Sequence, residues 1–279
     1  MIPELPGVYV DHLVRPRGVG DLAHPEAAGE IGSMVGGLGV RSTLSYASDG
    51  GEGSLVADVR GRPFGSPAWV APISWLCTQV EGGTWEDAGR FGPDEVVAGL
   101  KEGHADAWLP EAVVRASEFA ARALRRALGI GQRGPADCRG PGILVCRCIG
   151  VGDRTIRDAI RDGAQDPESI GDATGACTGC RSCRPDVLAV IDEELRPWPE
   201  APGPDRHPIE RITLVHGRRV LRALGLPLLD ARFEGDTVHV TFGAPEPGAT
   251  VRIPGAVALV RHTLRETVCD DIRVAPAEA

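Results

Sequence analysis

Four cysteines are the residues of this chain best placed to do chemistry. Cys146 and Cys148 stand in Val145-Cys146-Arg147-Cys148-Ile149-Gly150, and Cys180 and Cys183 close Cys177-Thr178-Gly179-Cys180-Arg181-Ser182-Cys183, a spacing of C-x-C-x31-C-x2-C. A fifth, Cys177, precedes Cys180 by three residues. Thiolates crowded this closely are soft ligands, suited to zinc or to an iron–sulfur cluster. Structural zinc takes the C-x2-C half readily, whereas C-x-C is less usual than a C-x2–4-C knuckle. A two-iron cluster takes both halves, one compact pair on each iron. A disulfide framework is the third reading, and a reducing compartment disfavours it. Gly150, Gly152, Gly175 and Gly179 flank the cysteines and let backbone amides approach the sulfurs.

Short helices must hold these loops in place. A helix capped by Asp153 is expected to run to Asp162, with Ile156, Ala159 and Ile160 inward and Gly163 as its stop. Asp166-Pro167-Glu168 opens a second. A third follows Arg184-Pro185, with Val187, Leu188, Ile191 and Leu195 on one face. About fifty residues make a small core, so a bound metal is expected to supply part of the stability.

Two Pro/Gly-rich stretches, Gly129 to Gly142 and Arg196 to Pro208, read as linkers around this segment. They divide the 279 residues into three expected domains, 1–129, 143–196 and 207–279. In the first, Arg41–Ser48 and Ser54–Arg60 are strand candidates joined by Asp49-Gly50-Gly51-Glu52-Gly53, a hairpin signal. Thr84-Trp85-Glu86-Asp87 resembles a capping box, and Pro110 to Leu128 reads as a helix with Val113, Ala116, Ala120, Ala123, Leu124 and Ala127 on its apolar stripe. The last segment reads helix (Ile209–Leu224), strand (Leu229–Glu234), strand (Asp236–Phe242), helix (Pro254–Val268) and strand (Ile272–Ala275). The fold class is α+β and multidomain.

The formal net charge is −9 and no Lys/Arg run stands out, which argues against nucleic acid as a partner. No apolar run approaches a membrane span, and Met1 to Gly7 lack the charged and apolar regions of a signal peptide. A soluble, cytoplasmic protein is expected. Gly36-Gly37-Leu38-Gly39 lacks the G-x-G-x-x-G spacing, and neither G-x-S-x-G nor H-E-x-x-H occurs. No enzymatic activity is expected.

The central segment as a whole, Cys146-Arg-Cys148-Ile-Gly-Val-Gly-Asp153, Ile156-Arg-Asp-Ala-Ile160, Thr174-Gly175-Ala176 and Cys180-Arg-Ser-Cys183-Arg-Pro185, resembles the bacterioferritin-associated ferredoxin-like domain. That 2Fe-2S module also lies at the centre of NifU proteins. The resemblance implies a small all-helical domain with a 2Fe-2S cluster on Cys146, Cys148, Cys180 and Cys183. Cys177 falls where the family usually has glycine and reads as a bystander, with ligand swapping as the alternative. Val10-Asp11-His12-Leu13-Val14-Arg15-Pro16-Arg17 is similar to the opening of the IscU/NifU scaffold domain, an α+β fold. Ile209-Glu-Arg-Ile212 and Phe242-Gly243-Ala244 resemble the C-terminal NifU domain, α-β-β-α-β. The modules follow in NifU order.

The outer modules lack the family's ligands. Alignment through Met34-Val35-Gly36 and Leu44 puts the scaffold cysteines at about Leu38, Phe64, and Val113 or Val114, and the assisting aspartate at about Val40. The C-terminal C-x2-C aligns with Pro245 and Gly248. Cys77 reads as a buried structural thiol and His104 as a surface histidine; a four-cysteine zinc-binding adaptor and a scaffold built on Cys77, Cys138 or Cys269 are the two alternatives. The resemblance implies iron–sulfur assembly or redox proteins as partners, a possible homodimer, and a role in electron supply or regulation rather than cluster building. Arg147, Arg181 and Arg184 beside the ligands would suit an acidic partner.

Overall fold

The structure, a computed structural model, describes residues 2–33, 38–47, 52–130 and 141–277. The expected Asp49-Gly50-Gly51 turn, most of the first linker, the Met34-Val35-Gly36 anchor and Cys138 lie outside those residues. The chain forms two compact units, Met1–Cys138 with Thr263–Ile272, and Arg139–His262 with Arg273–Ala279.

The first unit opens with α1 (Gly7–Val14) and a three-stranded antiparallel sheet, β1 (Ala27–Ser33), β2 (Leu38–Tyr46) and β3 (Val56–Gly65), in that spatial order. Then come α2 (Val70–Val80), α3 (Trp85–Arg90), α4 (Pro93–Leu100) and α5 (Glu111–Ala127). The sequence reading places β2 and β3 but misses β1, whose Ala-Ala-Gly-Glu-Ile-Gly-Ser carries little strand preference. Packing explains it. A Cβ on Gly29 would meet Ala123 O at 2.2 Å, so only glycine lets α5 lie this close to β1. Pro63 sits in β3 without breaking a ladder because β3 is an edge.

The predicted stripe of α5 is buried throughout, and the Thr84 hydroxyl accepts the Asp87 amide at 3.1 Å as a cap should. Tyr9, Leu13, Leu44, Trp69 and Leu124 fill the core. The Tyr9 hydroxyl donates to Thr267 O at 2.7 Å.

The second unit holds the cysteine segment and the residues after it, apart from Thr263–Ile272. The segment is not all-helical. Before α6 (Asp153–Arg161), α7 (Pro167–Thr174) and α8 (Arg184–Leu195) lies a two-strand ladder, β4 (Leu144–Cys146) with β5 (Val151–Gly152). The C-x-C loop turns between them, so a helical period was never available to it. Asp153 is also not the cap of α6. It is the first helical residue, fully buried, and its carboxylate accepts the Ile143 amide at 2.8 Å and Arg157 Nε at 3.2 Å. Asp166 caps α7 as expected. On α8, Val190 is buried where Leu195 was expected, and Leu195 is exposed.

The remainder gives α9 (Pro208–Ile212), a π-helical turn (Thr213–Gly217), α10 (Arg218–Ala223), β6 (Leu228–Glu234), β7 (Thr237–Phe242), α11 (Ile253–Thr267) and β8 (Arg273–Pro276). Strand β7 is central, antiparallel to β6 and parallel to β8, with Val238 and Val240 buried. The single helix expected over Ile209–Leu224 is interrupted by the π turn, where Thr213 Oγ1 donates to Ile209 O at 2.7 Å. Both segments share this unit. Arg222 is bidentate on Asp192 of α8, Arg219 pairs with Glu193, and Arg219 also lies 4.4 Å over the Trp198 ring.

Candidate metal centre

Two loops carry the five thiols. Cys146 ends β4 and is fully buried, while Cys148 sits exposed in the turn that follows. The turn closes through the Gly150 amide donating to Cys146 O at 2.8 Å, with Gly150 in the left-handed region. The second loop leaves α7 through Gly175, the left-handed residue that stops that helix. It passes Cys177 and exposed Cys180, then enters α8 at Cys183, which caps it and is buried.

The four predicted ligands come together. Cys146 Sγ lies 3.8 Å from Cys148 Sγ, and Cys148 Sγ lies 3.5 Å from Cys180 Sγ. The Cys183 thiol touches Cys146 on one side. On its other side it stands 3.6 Å from Cys177 Sγ. The sulfurs thus run as a string, Cys180, Cys148, Cys146, Cys183, Cys177. Among the described residues, no three His, Cys, Asp or Glu side chains close round a single point as one metal ion asks.

The surroundings suit soft-metal ligation. Gly179 lies against Cys148, where a Cβ would come within 3.2 Å of the sulfur. Hydrogen bonds from the Ser182 hydroxyl and amide pull the Cys180 thiol down to about 7, toward the thiolate that binds iron. Burial pushes the Cys177 and Cys183 thiols up, and the Arg184 charge opposes this only in part at Cys177. This donor set and its fitted glycine match an iron–sulfur group.

Sequence reasoning missed the frame behind the thiols. Arg157, 1% exposed, bonds Asp153, Glu193 at 2.9 Å and Glu194 at 2.6 Å. It joins α6 and the end of α8 to the start of the ladder that ends in Cys146. The available signal was Asp153 with Arg157 at i, i+4.

The outer positions look different. Across the β2–β3 ladder, Leu38 pairs with Gly65 and Gly39 with Phe64, so the first two assigned scaffold positions are neighbours. Val40 is fully buried, Phe64 nearly so, and the Arg41 guanidinium lies 5.3 Å over the Phe64 ring. Arg41 is held by Asp21 at 2.9 Å and Glu30 at 2.6 Å, and Arg62 shares Asp21 at 2.8 Å. Val113 is buried and Val114 exposed. Cys77 is buried on α2, its thiol pushed up to about 12 by desolvation. Pro245 and Gly248 lie exposed in the loop after β7, Cys269 is half-buried, and His104 is exposed. No thiol stands at any of these family positions.

Residues 144–193 match the BFD-like 2Fe-2S binding domain. Over 53 residues the chain is 40% identical to the bacterioferritin-associated ferredoxin of Pseudomonas aeruginosa, covering 19% of this chain and 73% of that protein. The chain therefore belongs to the BFD-like 2Fe-2S family through this segment, and its cofactor is a 2Fe-2S cluster. Over a longer stretch it is NifU-like: it is 29% identical over 175 residues to the nitrogen fixation protein NifU of Nostoc sp., 61% of this chain and 54% of that protein. It also matches a nitrate reductase of Klebsiella oxytoca, 30% identical over 147 residues, 51% of this chain and 16% of that protein. The chain spans about half the length of the NifU relative and a sixth of the reductase. Among the described residues no helix is long and apolar enough to cross a membrane.

Proposed function

We propose that this protein carries its 2Fe-2S cluster permanently on Cys146, Cys148, Cys180 and Cys183 and passes single electrons to iron–sulfur assembly or redox partners, without building clusters itself. The observation that carries the reading is an asymmetry. Thiols gather at one place only among the described residues, and the positions assigned to scaffold cysteines hold Leu38, Phe64 and Val113. Two irons bridged by sulfide supply a one-electron couple when bound.

The chain's own residues do the rest. Cys146 and Cys183 hold the buried side, and their position excludes water there. Cys148 and Cys180, both exposed, present the side on which a partner can approach. Ser182 stabilises negative charge at Cys180 Sγ. Arg147 and Arg181 are exposed beside them and favour an acidic partner, as does Arg184, although Glu168 engages it at 2.8 Å. In the first unit, Phe64, Val40 and the Arg41–Asp21–Arg62 network occupy the place of a scaffold site. That unit serves as a docking or self-association surface.

Anaerobically purified full-length protein tests this directly. Visible absorption and a rhombic electron paramagnetic resonance (EPR) signal after dithionite reduction are expected, with two irons per chain. Incubation with iron, sulfide and a cysteine desulfurase should add no second, transferable cluster. A colourless, EPR-silent protein with stoichiometric zinc, or transfer of a labile cluster to an apo-ferredoxin, overturns it.

A further inference from the structure

Cys177 is not the bystander its position in the sequence implies. Its Sγ is 3.6 Å from Cys183 Sγ, its side chain is buried, and its backbone has φ 65°. That left-handed conformation favours glycine, and a side chain adds nothing to the turn. What it adds here is a fifth sulfur at the inner end of the string. Two thiolates sharing one tetrahedral metal at bonds of about 2.3 Å stand roughly 3.8 Å apart. The Cys177–Cys183 separation falls in that range, as does Cys146–Cys148 at 3.8 Å.

From this we infer that Cys177 is a reserve ligand, able to take the place of Cys183 on the cluster. The inference rests on the ligand set proposed above. The two residues differ in freedom. Cys183 is fixed as the cap of α8, with its carbonyl accepting the Val187 amide at 2.9 Å. Cys177 sits in the loop between Gly175 and Gly179, where a shift of the turn moves the thiol toward the place of Cys183 without unwinding a helix. The exchange is a ligand substitution at constant oxidation state: one thiolate leaves iron and takes a proton, and the other gives one up. Cys180 has no such reserve, because Cys177 lies at the opposite end of the string. Ligand exchange at the buried end would let the cluster survive loss or modification of Cys183, while the exposed end stays intolerant.

The test compares Cys177→Ala, Cys183→Ala, the double variant and Cys180→Ala in the full chain, purified anaerobically. Iron and sulfide content, visible spectra and EPR are read together with far-ultraviolet circular dichroism for the fold. Cys177→Ala should match the wild type, and Cys183→Ala should keep its cluster with shifted EPR g values. The double variant and Cys180→Ala should lose it. A folded Cys183→Ala without cluster, or a double variant with as much iron as Cys183→Ala, overturns the inference and leaves the ligand set intact. Loss in Cys177→Ala with retention in Cys180→Ala overturns the ligand set itself. Where Cys183→Ala is not recovered folded, Cys183→Ser with and without Cys177→Ala makes the same decision.

Discussion

Cys180 and Cys77 are both free thiols, one in each unit, and their surroundings drive them apart. Cys180 is exposed beside Ser182 and is drawn down to about 7. Cys77 is buried on α2 and is pushed up to about 12 by desolvation. The same contrast holds for whole sites. In the second unit five sulfurs line up behind glycines, with two at the surface. In the first, the β2–β3 ladder brings Leu38 and Phe64 to adjacent registers, and apolar packing with a buried ion network fills the space. Two aligned strands are thus filled by ordinary core in one unit, while two loops gather thiols in the other. The chemistry follows the side chains.

The sharpest way to break this comparison is to remove one thiol from each side. Cys180→Ser should abolish the visible spectrum and the EPR signal, whereas Cys77→Ala should leave both unchanged. Bleaching by Cys77→Ala would return iron chemistry to the first unit. Alkylation of the cluster-free protein near pH 7 should mark Cys180 quickly and Cys77 only after unfolding.

Next in size come the two buried arginines, Arg157 and Arg41, each 1% exposed. Arg157→Met removes the buried guanidinium that bonds Asp153, Glu193 and Glu194 and should cost about 3 kcal/mol, since removing one partner of a buried ion network is strongly destabilising. Arg41→Met leaves Asp21 with Arg62, so its cost should be smaller, about 2 kcal/mol. Urea melts give both values. Because Asp153 holds the Ile143 amide just before β4, Arg157→Met should also release the cluster at lower temperature, while Arg41→Met should not. Equal effects on the cluster would mean that the frame behind Cys146 has been misidentified.

The ligand thiols, the helices α5 and α7 and the hairpin strands could be read from the sequence because each carries a local signal: paired cysteines, an apolar stripe, an Asp-Pro cap. What escaped depends on how segments pack in three dimensions. Strand β1 exists because α5 crosses at Gly29, a fact written in neither segment alone. Asp153 reads as a cap by its type, yet it is buried to meet Arg157 and Ile143. The β4–β5 ladder is too short to show a period. Cys177 reads as a bystander only through the family resemblance, and the path of the loop brings its sulfur to Cys183. Local pattern thus singled out the candidate ligands, and tertiary context was needed to say which neighbours support them.

The smallest expected effect lies in the first unit, at His12, a residue of the motif that marks its resemblance to the scaffold domain. His12 Nδ1 faces Ser74 Oγ at 2.8 Å, and the same hydroxyl accepts the Arg17 amide at 2.8 Å. The Ser74 hydroxyl still has its proton to donate, which suits the neutral imidazole as an acceptor at Nδ1. Burial lowers the histidine below its ordinary 6.5, and the Arg17 charge adds to this against a weaker opposing pull from Asp11. The unfolded chain therefore takes up this proton first. The contribution is fully present above pH 6.5 and is lost as pH falls from there toward the lower folded value. His12→Asn keeps an acceptor for Ser74 but cannot titrate, so its urea stability should fall less steeply than the wild type between pH 7 and 5, with cluster content equal in both. An unchanged slope would mean that His12 takes up its proton equally in the folded and unfolded chains, and a difference of the opposite sign that it is already charged when folded.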